Sequence, residues 1–138
     1  MLKFAPMSFY GEDTERSALA ALMNYLATGR EMTGEYYFSI NRSDPSDEIF
    51  DEMRNKYPRA IIHKFSESEG YEFCFGMYID DGHEPNCAPH PLMHADFIAM
   101  PLWHIALVSA GVTGCGGQFW VLNAFGRWIV LTGWVGCV

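Results

Sequence analysis

Hydrophobic positions along the chain change period several times, and each change marks an element. Over residues 13–28, Leu19, Leu22, Met23 and Leu26 recur at helical spacing, with Asp13 or Thr14 placed to cap the start and Gly29 just past the end. The period falls to two over residues 35–40, where Tyr36, Phe38 and Ile40 share one side of an aromatic-rich run; this predicts a strand. It returns to the helical value over residues 43–58. There Ile49, Phe50, Met53 and Tyr57 form the inner stripe, Ser43 or Asp44 is the cap, Pro45 takes the first helical position and Pro58 ends the helix.

Residues 59–65 and 70–79 flank the polar link Ser66–Glu69. Tyr71, Phe73, Phe75, Met77 and Ile79 alternate cleanly, so the pair predicts an antiparallel hairpin. Residues 118–138 hold two β-rich runs around Ala124–Phe125–Gly126. A three-residue loop with Gly126 in the left-handed conformation places Leu122 opposite Trp128 and Val121 opposite Ile129, and projects Trp120, Trp128 and Trp134 from one face. The expected order is α, β, α, β, β, an unassigned 97–110, then β, β. The fold class is α+β: one domain over 1–138, with a mainly antiparallel or mixed sheet and two to three helices.

Charge changes the picture more than composition does. The 138 residues carry −8, and from Phe97 to Val138 the only formally charged side chain is Arg127. That balance disfavours DNA, RNA and anionic membranes, whose binding rests on Lys and Arg, and favours a basic partner. Residues 97–113 contain Pro101 and His104, and 118–138 contain Asn123, Arg127 and interior glycines, so a strand hairpin fits better than membrane spans. The first residues lack the apolar run of a secretory signal, and Cys74, Cys87, Cys115 and Cys137 show no disulfide framework; a cytoplasmic protein with reduced thiols is expected.

Candidate chemistry concentrates in residues 82–94, where His83, Cys87, His90 and His94 are zinc-ligand types. Pro85, Pro89 and Pro91 preclude a helix there, so neither H-E-x-x-H nor the zinc-deaminase spacing is met. A proline-rich connector is the plainer reading. The glycines of residues 111–117 lack the Lys-Ser/Thr of a phosphate loop and read as a turn. His63 and His104, in apolar settings, read as satisfied core histidines.

No motif compels a reaction, so the expected function is non-enzymatic. Asp44, Asp47, Glu48, Asp51 and Glu52 mark an acidic face on the second helix. With Trp120, Trp128 and Trp134 as aromatic anchors or as a homodimer seam, the pattern suits an inhibitor or immunity-type protein that blocks a basic protein partner, without a cofactor. The alternative is a small metal- or thiol-dependent enzyme using His83, Cys87, His90 and His94, with zinc as cofactor.

Overall fold

A computed structural model describes residues 11–27, 32–74, 86–102 and 104–137. Gly29, His83 and the strand expected over 75–79 lie outside the described residues. Two helices, α1 (Gly11–Ala27) and α2 (Asp47–Lys56), accompany six strands: β1 (Gly34–Ile40), β2 (Ala60–Lys64), β3 (Leu92–Leu102), β4 (Ile105–Val112), β5 (Cys115–Ala124) and β6 (Arg127–Cys137). They form one sheet in the order β2-β1-β3-β4-β5-β6. β1 runs parallel to both its neighbours, and β3 to β6 form an antiparallel meander. The α+β expectation holds, with a mixed sheet.

The helices form from the stripes that their sequences carry. Ala18, Leu19, Ala21 and Leu22 of α1 and Ile49, Phe50 and Met53 of α2 are buried, and they meet Phe38, Ile40, Ile62, Met93, Ala95, Ala106, Val108, Ala110, Phe119 and Val121 from one side of the sheet. Caps fall elsewhere than expected. α1 already begins at Gly11, and α2 is capped by Ser46, which puts Pro45 outside the helix rather than in its first turn. Arg16 of α1 reaches across to α2, donating to both carboxylate oxygens of Glu52 at 2.7 and 2.9 Å and to Glu48 at 2.7 Å.

β2 makes no pairing with residues 70–74, the described part of the hairpin partner expected over 70–79. Phe65–Ser68 forms a 3-10 turn, and β2 instead pairs with β1 in parallel through the α2 crossover, Tyr37 lying opposite His63. The unassigned 97–110 region and the glycine segment resolve together. They supply the end of β3, all of β4 and the start of β5, joined by a two-residue turn at Thr113–Gly114. An added Cβ at Gly111 would strike the Cys115 carbonyl, and one at Gly117 the Trp134 carbonyl. These glycines therefore permit the close approach of β4, β5 and β6 rather than a flexible loop.

The last hairpin differs by one residue, and the difference reverses a side chain. Phe125 and Gly126 alone form the turn, both at positive φ (55° and 83°), so Ala124 faces Arg127, Asn123 faces Trp128 and Leu122 faces Ile129. Because side chains alternate at every residue, this shift carries Trp128 to the helix-covered side, where it packs on the core with Val130; Trp120 and Trp134 remain on the other side. Positive φ at Phe125 is a real cost for a bulky side chain, and this turn accepts it. Phe125→Asn, at a fully exposed position, is expected to stabilise the protein by about 1 kcal/mol because Asn enters the left-handed region more readily. Thermal unfolding of the two proteins checks it.

Candidate functional site

Both helices lie on one side of the sheet; on the other, Tyr37 and Ser39 of β1 are buried, but no helix among the described residues covers β3 to β6, and this is the open side. Alternation along the strands places Glu35, Tyr37, Ile61, His63, His94, Asp96, Leu107, Ser109, Gln118, Trp120, Leu122, Ile129 and Trp134 there. Large apolar side chains at Ile61, Ile98, Ile129, Leu131 and Trp134 are exposed. Exposed apolar side chains in such number make this side a candidate contact surface. β6 adds to it: eleven residues of edge strand without a lysine or proline, relieved by one register shift opposite Trp120/Val121.

At the centre of this side, Asp96, Ser109 and Gln118 stand opposite one another on β3, β4 and β5. In the neighbouring row His94, Gly111, Gly116 and Gly136 line up, and the missing side chains leave a hollow of about 430 Å³ bordered by His94, Ser109 and Gln118. A second hollow of about 560 Å³ is lined by Asn41, Arg42, Asp96, Ile98, Ser109 and Gln118. The two oxygens of Asp96 differ. Oδ2 lies 3.5 Å from His94 Nδ1, while Oδ1 is buried and accepts no hydrogen bond among the described residues. A buried acceptor without a donor is costly, whereas the exposed part of the carboxylate, with the side chain 30 % accessible, faces solvent.

Towards the β2 edge, three side chains from separate segments converge. Glu35 on β1 accepts from His63 Nε2 on β2 at 3.0 Å, and the same oxygen lies 2.7 Å from Nε2 of His90, just before β3. The imidazoles stack, 5.3 Å between centroids and 13° between planes, and Tyr37 touches both rings. The His63 hydrogen bond, with the charge of His90, holds the Glu35 carboxyl below its ordinary value against the opposing effect of burial. A carboxyl held low favours the folded state at neutral pH, and that contribution fades as pH falls through the carboxylate range. Burial pushes the Tyr37 hydroxyl up, helped by Tyr71, Glu67 and Glu35.

The residues singled out from sequence thus separate. Cys87 is bonded to Cys74, and Cys115 to Cys137, so all four thiols expected to be reduced are paired, and Cys87 offers no thiolate to a metal or substrate. His94 turns to Asp96 on β3, and His90 joins Glu35 and His63, two residues that no spacing or motif groups with it. His63 is partly exposed, not a core histidine. On α2, Glu48 and Glu52 are engaged by Arg16, and Asp44 accepts from the Ser66 amide; Asp47 and Asp51 are exposed. α2 covers the side of the sheet opposite Trp120 and Trp134, so the acidic helix and the aromatic pair face in different directions and do not form one patch.

No helix among the described residues is long and apolar enough to cross a membrane. Comparison of the chain with protein-family models, with characterised proteins and with solved structures gives no match in any of the three.

Proposed function

We propose that this protein acts by binding a basic protein through the open side of its sheet, in the manner of an inhibitor or immunity-type protein. The observation that carries the reading is Asp96: a carboxylate 30 % exposed at the border of a hollow, on a side of the sheet that also exposes Ile98, Ile129 and Trp134. A lysine or arginine of the partner entering the hollow pairs with this carboxylate through Oδ2 as a charge-assisted hydrogen bond, and the surrounding apolar side chains exclude water from it.

A chain carrying −8 repels a second copy of itself and attracts a cationic surface, which favours a basic partner over a homodimer. Asp47 and Asp51 on α2 then act at a distance, speeding encounter rather than forming the contact. The two disulfides are of the kind sustained in non-reducing compartments, which withdraws the thiol argument for a cytoplasmic address.

The test is capture of the partner from the native source at low salt, followed by titration of the purified pair. Asp96→Asn, which keeps the side-chain shape, and Trp134→Asp are each expected to weaken binding by about thirtyfold or more, the effect of a hot-spot residue. Reversing Asp47 and Asp51 to Lys should slow association and flatten its salt dependence while leaving dissociation unchanged. Equal affinity of wild type and both sheet variants would refute the reading.

A further inference from the structure

We propose that Glu35, His63 and His90 form a site for a divalent transition metal of the zinc class. The donors are one carboxylate oxygen and two imidazole Nε2 atoms, all within 4.8 Å of one another. In a tetrahedral zinc site with bonds of about 2.1 Å, ligand atoms stand about 3.4 Å apart. Here the two nitrogens stand 3.0 and 2.7 Å from Glu35 Oε2, so a small outward movement of each side chain makes room for the ion. Imidazole nitrogen selects zinc, cobalt, nickel or copper over calcium and magnesium, which prefer all-oxygen surroundings.

The backbone sets up this convergence. β1 lies between β2 and β3, so Glu35 stands centrally, with His63 arriving from one neighbouring strand and His90 from the approach to the other. The near-parallel imidazoles aim the same ring atom at the same carboxylate oxygen, with Tyr37 against both rings. The segment leading to His90 is tied to the chain before it by the Cys74–Cys87 bond and by backbone pairing of Glu72 with Asn86 and Ala88. On the far side of His63, Glu67 Oε2 lies 4.0 Å from Nδ1 and is itself held at 2.8 Å by the Lys64 amide. An approach of about 1 Å brings it within hydrogen-bond reach of Nδ1, from which an outer carboxylate orients a metal-bound imidazole.

Each ligand is about one-third exposed, so an ion enters from solvent without opening the fold. Three protein donors leave a four-coordinate ion one further position, as in exchangeable rather than closed structural sites. The site is distinct from the Asp96 hollow and does not rest on the protein-binding reading.

Titration of the disulfide-bonded protein with zinc, and separately with cobalt(II), tests the proposal. One ion per chain is expected, with visible absorption from the cobalt form characteristic of four-coordinate nitrogen and oxygen ligation. His63→Ala, His90→Ala and Glu35→Gln should each weaken zinc binding by more than about tenfold, and Glu67→Ala by up to about tenfold, while His94→Ala leaves it unchanged. Nitrogen-15 spectra of the wild-type rings provide a check independent of folding in the variants: zinc should shift the Nε2 signals of His63 and His90 and leave those of His94 and His104 in place. Absence of zinc uptake, uptake indifferent to all three ligand substitutions, or shifts confined to His94 and His104 would overturn it.

Discussion

Phe38→Ala is expected to lower the stability of the protein by about 3–5 kcal/mol, the usual cost of emptying a buried phenylalanine site. Phe38 is fully buried on β1, flanked by Lys64 of β2 and Met93 of β3. Its ring stacks on Phe50 of α2, at 6.3 Å between centroids, and Phe50 in turn carries the Arg54 guanidinium 4.6 Å above it. The ring therefore joins the parallel part of the sheet to the crossover helix, and backbone pairing on both sides of β1 resists collapse into the space it leaves. Against a total of about 5–15 kcal/mol for an ordinary domain, such a loss brings the fold near its limit. Urea unfolding of the two proteins measures it; a change below about 1 kcal/mol would mean that α2 is not packed on β1 as described.

Reduction of the disulfides should cost about 3 kcal/mol for each bond, because each closes a loop of moderate length in the unfolded chain. The sequence separations are 13 for Cys74–Cys87 and 22 for Cys115–Cys137. Their structural consequences differ. Cys74–Cys87 fastens the chain on either side of residues 75–85 and stands close in sequence to both Phe73 and His90, whereas Cys115–Cys137 joins directly opposed positions at the start of β5 and the end of β6. Cys115→Ser with Cys137→Ser should therefore loosen the end of β6 and leave His90 in place. Chemical unfolding of oxidised and reduced protein gives the energies, and peptide mapping confirms the pairing.

Where one pattern had one physical explanation, the sequence was informative. The stripe of Ile49, Phe50 and Met53 became the buried face of α2, and the alternation around Phe38 became β1. Partner choice between strands was harder to read. A short run such as Ala60–Lys64 carries no mark that separates a parallel neighbour reached through a helix from an antiparallel one reached through a turn. Trp128 lies on the other face because the turn is one residue shorter than expected, with Phe125 itself at positive φ, and one residue of shift reverses every side chain of β6 up to the bulge. Local density also misled the search for metal ligands. His83, Cys87, His90 and His94 are neighbours in sequence, yet His90 meets Glu35 and His63, which are 55 and 27 positions away, because β1, β2 and β3 are neighbours in the sheet.

With the helices on the other side and Asp96 partly exposed among apolar side chains, the open side of the sheet is where the basic partner should bind. A chemical-shift map of the isotopically labelled protein, titrated with the captured basic partner, tests this most directly. The account predicts that Asp96, Ser109, Gln118, Ile129 and Trp134 shift strongly while Asp47 and Asp51 of α2 stay near their free positions. Large shifts confined to α2, with the β3–β6 signals unmoved, would contradict it.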